Sequence, residues 1–208
     1  LNYNMTKRIC VIGGGRWGQN HIKTLSQLGC LAAIADENEK RLQELASLYP
    51  QAKVFNSCDA AINAVFDAYV VATPAETHYE IGKKILSKGI PVLIEKPMTL
   101  LAERSLELVK LAEQHQAQLM VGHVLLFHPA IRKIKEIVDQ GKIGQLYYIY
   151  STRLNLGTVR TEENVFWSFA PHDISVLDFI IGAQPLKMRA KGAKFLQDNI
   201  FDLTMTQF

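Results

Sequence analysis

The stretch PVLIEKPMTL, residues 91–100, ends an apolar run, Pro91 to Ile94, with an acid and an amine, Glu95 and Lys96, before Pro97 removes a backbone donor. Charges at the end of a core strand are costly unless they are paired or used. Gly13-Gly14-Gly15-Arg16-Trp17-Gly18 satisfies G-x-G-x-x-G directly after the apolar run RICVI. Between a strand and a helix, Gly13 permits a tight turn, Gly15 lets a pyrophosphate approach the backbone, and Gly18 lets helix and strand pack. The helix start, with Arg16 and Trp17 in its first turn, then faces the phosphates with its partial positive charge. Asp36 closes the next apolar run, CLAAIAD, 18 residues after Gly18. A carboxylate there accepts hydrogen bonds from an adenosine ribose and repels a 2′-phosphate, which favours NAD over NADP; Arg16 and Arg41 are the nearby residues that could weaken that preference.

These side chains need strand tips to stand on, and residues 7–122 provide them. RICVI, CLAAIAD (30–36), AKVF, DAYVVATP (67–74), PVLIEK and QLMVGH read as strands, separated by helical segments such as 37–49 and about 99–116. Thr77 and Glu80 match a capping box at the start of one helix. Apolar strands alternating with amphipathic helices predict crossover units and a doubly wound parallel sheet. Thr73-Pro74 and Glu95-Lys96 then occupy the C-terminal tips of the fourth and fifth strands, where ligands of open parallel sheets bind. His78 follows Thr73-Pro74 and either reaches the nicotinamide side or serves a local cap.

After residue 122 the rhythm changes. Pro129 opens a helix with Ile131, Ile134, Ile137 and Val138 on one face. The tract 145–155 alternates with a period of two, placing Tyr147, Ile149, Ser151, Arg153 and Asn155 on one face of an expected strand. A polar stretch, 156–168, precedes a helix expected from about Pro171 to Ile181, and strand-like tracts follow at 186–196 and 200–208. The expected organisation is a Rossmann domain over 1–122 and an α+β domain over 123–208, whose open, mostly antiparallel sheet is incomplete. The last strand runs to the end of the sequence without a closing signal, so a truncated product, with missing residues or a partner chain completing the sheet, is expected.

Composition narrows the classes. Lys and Arg total 23 against 20 acids, a net charge of +3 with no basic cluster, which argues against nucleic acid. Cys10, Cys30 and Cys58 have neither metal-ligand spacing nor an even disulfide count, so no metal site and a reducing cytoplasm are expected. No apolar run approaches the roughly 20 residues that span a bilayer.

Together, VIGGGRWG, the Ala-Asp at the second strand's end, VVATPAETHYE, GIPVLIEKPMTL and PHDISVLDFIIG resemble the Gfo/Idh/MocA oxidoreductases, and the stretch YYIYSTRLNLGTVRTEENVFWSFAPHDISVLDFIIG resembles their nucleotide-sugar branch. The resemblance implies an NAD-dependent dehydrogenase acting on a ring hydroxyl of a sugar, such as carbon 3 of UDP-N-acetylglucosamine, and a homo-oligomer formed through the C-terminal sheet. It places Lys96 in the active site and makes His172 the partner base. Histidine's ordinary pKa near 6.5 suits proton transfer, and Pro171 as a first helical residue would put the ring in an opening turn, where the helix dipole disfavours the imidazolium. In one respect the chain departs from the family pattern: Ser168 stands where an aspartate commonly precedes the helix histidine by one turn. Arg153, Asn155, Arg160 and Asn164 suit a diphosphate and sugar hydroxyls, or serve only solvation. Trp167 stacks on a sugar or base face, or packs in the core. His123 faces the pocket or is structural; His21, His115 and His128 read as structural or solvated. A cyclitol or monosaccharide dehydrogenase, and a non-catalytic dinucleotide-binding regulator, are the alternatives.

Overall fold

The computed structural model describes residues 7–154 and 164–208. The chain divides into two units after Gly122, and each is described by itself.

In the first unit, strands β1 (Ile9–Ile12), β2 (Leu31–Ala35), β3 (Lys53–Phe55), β4 (Ala68–Val71), β5 (Val92–Ile94) and β6 (Leu119–Val121) form a parallel sheet in the order β3-β2-β1-β4-β5-β6. Helices α1 (Arg16–Gln27), α2 (Glu39–Leu48), α3 (Cys58–Asn63), α4 (His78–Leu86) and α5 (Ala102–Gln114) connect them. Because strand side chains alternate faces, β1 sends Cys10 and Ile12 one way and Val11 the other. Val11, Ile34 and Val70 pack against Ile22, Leu42 and Leu45 of α1 and α2. Cys10, Ile12, Tyr69, Val71 and Ile94 pack against Ala61, Ile85, Leu86 and Leu108 of α3 to α5. Both faces are covered along β1, β2 and β4, which is why those strands read as continuous apolar runs; at β6 the face turned away from α4 and α5 is open, with Met120 44% exposed.

The second unit holds α6 (Pro129–Asp139), α7 (Val165–Ile181) and an antiparallel pair, β7 (Arg189–Ala193) with β8 (Leu203–Gln207). Pro129 stands at the start of α6 as expected, and the His128 ring accepts the Ala130 amide at 3.2 Å as its cap. No described helix is long and apolar enough to cross a membrane.

Three local expectations fail. Thr77 and Glu80 make no capping box: a short 3₁₀ turn, Ala75–Thr77, precedes α4, and Thr77 Oγ1 turns back to Thr73 Oγ1 and the Pro74 carbonyl, each at 2.7 Å. The tract 145–154 is not a strand; Tyr147, Tyr148 and Tyr150 are exposed, and among the described residues no strand pairs with it. Alternation can specify which face is apolar, but a strand also needs a neighbour for its backbone. Helix α7 begins at Val165, not at Pro171, because the Asn164 side chain accepts the Trp167 amide at 3.1 Å and caps it there. Pro171 lies inside that helix.

Candidate active site

Register builds the site. Ala35, Ile12, Val71, Ile94 and Val121 are cross-strand partners in the last row of the sheet. The next residue on each strand, namely Asp36, Gly13, Ala72, Glu95 and Gly122, forms a row just beyond the C-terminal edge. Hydrogen bonds continue the ladder into that row: Gly13 N to Ala35 O at 2.8 Å, Ala72 N to Ile12 O at 2.8 Å, Glu95 N to Val71 O at 2.9 Å and Gly122 N to Ile94 O at 2.8 Å. The backbone of the edge is therefore fixed before any ligand arrives.

Gly13 has φ +95°, and a Cβ on it would lie 2.7 Å from the Ala72 carbonyl. A Cβ on Gly18 would lie 1.8 Å from the Gly13 carbonyl oxygen. Gly15 differs: a Cβ there would meet no protein atom within 4 Å, so the space beside it is open. Gly15 is also the N-cap of α1, with no acidic residue in the first turn, and Arg16 and Trp17 are exposed beside it. An open glycine at a helix start with no competing carboxylate fits a dinucleotide pyrophosphate.

Asp36 is buried and heavily engaged. Its Oδ2 accepts the Gly14 amide at 2.7 Å and Oδ1 accepts the Asn38 amide at 2.8 Å. Arg41 Nη1 donates to both oxygens, at 3.1 and 3.3 Å. The carboxylate thus braces the glycine turn as well as standing where a ribose would bind. Arg41 is tied to it and cannot serve a 2′-phosphate without releasing that contact.

At the β5 tip, Glu95 Oε1 accepts a hydrogen bond from His21 Nε2 at 2.7 Å, and Oε2 accepts the Lys96 amide at 3.2 Å. Burial pushes the Glu95 carboxyl up, but the bonds and positive charge of His21 and Lys96 outweigh it and hold the group below the usual carboxylate range. A Cβ on Gly122 would sit 2.9 Å from this carboxyl group, so the side chain would have to shift to admit one. His21 and Gly122 are site-forming residues that sequence reading missed. His21 lies one turn after Gly18 on α1, and that helical spacing from the phosphate loop was the available signal.

Lys96 is half-buried, and the Lys96–Pro97 peptide is cis. Thr73 is half-buried and Pro74 exposed at the β4 turn. His78 was expected either beside the nicotinamide or as a cap. Its ring is 1% exposed, with Nδ1 2.9 Å from the Pro97 carbonyl oxygen and Nε2 2.8 Å from the Thr73 carbonyl oxygen, so it presents no edge to a cofactor in this structure. A cleft of about 280 Å³ lies along the sheet face beside α1, lined by His21, Thr24, Val70, Leu93, Gln118 and Met120 among others.

In the second unit, His172 is half-buried well inside α7. The opening-turn argument for its neutral form therefore fails, since the dipole's influence fades beyond the first turn. Ser168 is buried one turn before it. Arg153 forks onto Asp173, Nε to Oδ2 at 2.9 Å and Nη2 to Oδ1 at 3.0 Å, and Ser151 Oγ adds a bond to Oδ1 at 3.2 Å. Asn164 caps α7, Trp167 is half-buried, and His123 is half-buried at the unit's start. Asn155 and Arg160 lie outside the described residues.

An open parallel sheet with a glycine turn at β1, an acid at the β2 tip and a braced lysine turn at β5 defines a dinucleotide-binding oxidoreductase fold. The chain belongs to the GFO_IDH_MocA oxidoreductase family with an NAD-binding Rossmann fold, whose profile matches residues 7–123. It is similar to a UDP-N-acetylglucosamine 3-dehydrogenase of Acidithiobacillus ferrooxidans, 31% identical over 92% of this chain and 59% of that protein. The solved structure of UDP-N-acetylglucosamine 3-dehydrogenase GnnA from the same organism superposes with a TM-score of 0.86 at 30% identity, covering 97% of this chain and 63% of that one. An inositol 2-dehydrogenase of Rhizobium meliloti is 28% identical over 95% of this chain and 62% of that protein. The chain thus spans about 60% of the length of these relatives.

Proposed function

We propose that this chain carries the NAD site and the reacting side chains of a dehydrogenase that oxidises a ring hydroxyl of a sugar, with UDP-N-acetylglucosamine, at carbon 3, as substrate. The observation that carries the reading is the β5 tip: a half-buried lysine follows a carboxylate held ionised by His21, at the sheet edge where Gly15 leaves room for a dinucleotide. The likeness to a UDP-N-acetylglucosamine 3-dehydrogenase supports the substrate class.

Oxidising a secondary alcohol removes a proton from oxygen and a hydride from carbon. Bound NAD⁺ supplies the hydride acceptor. Gly13, Gly15 and Gly18 shape the turn that takes the pyrophosphate, with Arg16 and Trp17 flanking it. Asp36 receives the ribose hydroxyls, which favours NAD over NADP. Thr73, Pro74 and Glu95 line the nicotinamide end. Lys96 donates a hydrogen bond to the reacting hydroxyl and stabilises the developing alkoxide, and His172 accepts the proton. His123, Arg153, Asn155, Arg160, Asn164 and Trp167 contribute to the substrate side. Asn164 does so while capping its helix. Homo-oligomerisation through the C-terminal sheet and a cytoplasmic setting belong to the same reading.

A second reading has one observation in its favour. The Arg153 fork is already taken by Asp173, so a diphosphate would have to displace an ion pair, whereas an uncharged cyclitol or monosaccharide would not. A sugar panel monitored by nicotinamide absorbance separates the readings. Turnover with UDP-N-acetylglucosamine, lost by about a hundredfold or more in Lys96→Ala with NAD⁺ affinity within about threefold, is expected. Turnover with inositol and not with UDP-sugars would make the second reading correct. Tight NAD⁺ binding with no turnover on any polyol would point to a regulatory dinucleotide-binding protein.

A further inference from the structure

We infer that His78 is a positioning residue that clamps the Lys96–Pro97 turn to the Thr73–Pro74 turn through both ring nitrogens. The catalytic half of this inference rests on the dehydrogenase reading; the clamp itself does not. Two turns at adjacent strand tips, β4 and β5, each leave a carbonyl that the sheet does not use: Thr73 O and Pro97 O. His78, at the start of α4, places Nε2 2.8 Å from the first and Nδ1 2.9 Å from the second. The ring is 1% exposed, so water does not supply these bonds.

The buried ring therefore spans the two turns, with one nitrogen within hydrogen-bond distance of each carbonyl.

What the clamp holds is Pro97, the residue that directly follows the amine of Lys96. Pro97 has no N–H, so its turn has one fewer backbone bond of its own. The Glu95 side of the turn is held by Val71 O and His21, and the Pro97 side by His78. The β4 turn is in turn closed by Thr77, adjacent to the clamp. Lys96 is thereby braced on both sides, and displacement of a reacting group by about 1 Å costs as much as a hundredfold in rate.

The test uses the full chain. Nitrogen-15 spectra should show a His78 ring N–H held in slow exchange with water; a ring N–H lost to rapid exchange would overturn the clamp. Hydrogen exchange at residues 95–98 should speed up by about tenfold or more in His78→Leu and less in His78→Gln, which keeps one donor, with β1 amides unchanged as the folding control. Unchanged exchange at 95–98 in a folded His78→Gln protein would also overturn it. Neither measurement needs turnover, so each stands even if no sugar proves to be a substrate. Where turnover is found, kcat should fall about tenfold in His78→Gln with NAD⁺ affinity within about twofold; a loss confined to NAD⁺ affinity would show that His78 acts on the cofactor site and not on the lysine turn.

Discussion

The two units solve the problem of apolar surface differently. In the first, strands and helices close on each other, and Cys10, Val11, Ile12, Ala33, Ile34, Val71 and Ile94 are at most 6% exposed. In the second, Ile180 is the buried apolar residue among those described, while Tyr147, Tyr148 and Tyr150 are each 83% exposed and Leu186 fully so. Sequence composition does not separate them; both are rich in apolar residues. What separates them is whether the elements that an apolar face needs are within the same unit. In the first unit the row Asp36, Gly13, Ala72, Glu95, Gly122 is set by the ladder behind it, although one sheet face stays open at Met120. The second presents an apolar alternation over 145–154 with no described strand beside it; among its site residues Asn164 caps α7 and Arg153 pairs with Asp173 near the surface.

Glycine substitutions give the largest test of this contrast. In Gly18→Ala the new methyl lies 1.8 Å from a backbone oxygen in a closed core, where nothing soft can move. A stability loss of about 3 kcal/mol and at least about tenfold weaker NAD⁺ binding are expected by denaturant titration and fluorescence. In Gly192→Ala the methyl meets the Phe201 ring at 2.7 Å, but that ring is 40% exposed and can swing outward. The change should stay within about 1 kcal/mol. Equal effects at the two positions would mean that the first unit is no more tightly built than the second.

Legibility in the sequence followed the same divide. The glycine loop, Asp36 and the strand tips were readable because each answers a local backbone demand: Gly13 a positive φ, Gly18 a close approach, Glu95-Lys96 the end of an apolar run. The parallel sheet followed from the alternation of strands and helices, and its order is the doubly wound one. His21 was not readable as Glu95's partner, since the two are 74 residues apart and meet only because β5 lies beyond β4 from β1. The pair of carbonyls around His78 was hidden for the same reason: Pro97 is 19 residues away. The start of α7 was misplaced because Pro171 advertises a first turn, while Asn164, a stronger cap, was assigned to substrate. The tract 145–154 had the right period and no described partner, and a period of two does not by itself make a strand.

Glu95→Gln tests the brace in the closed unit. Glu95 titrates lower in the folded chain than in the unfolded one, so its contribution is full above the ordinary carboxylate range and is lost as pH falls through the depressed folded value. At neutral pH the amide variant should be about 1 kcal/mol less stable, because a charge-assisted bond from His21 becomes a neutral one. The gap should close in acid, where wild type also carries a neutral carboxyl. A gap independent of pH would mean that shape, and not charge, is what His21 recognises.

The smallest effect is expected at the corresponding pair in the second unit. Arg153 and Asp173 are 35% and 25% exposed, and the guanidinium's pKa is raised by its bonds to Asp173. Solvent screens such a pair, so Asp173→Asn should cost no more than about 1 kcal/mol, with a thermal midpoint shift of a few degrees at most. The same change releases a planar, permanently charged fork that is otherwise tied to Asp173. If Arg153 serves a diphosphate, freeing it should lower KM for UDP-N-acetylglucosamine while leaving that for an uncharged polyol alone. If it serves only to hold the 151–153 tract onto α7, both KM values should stay where they are and exchange at residues 151–153 should rise. An ion pair worth little to folding can thus decide between the two substrate classes, because the cost of breaking it falls on only one of them.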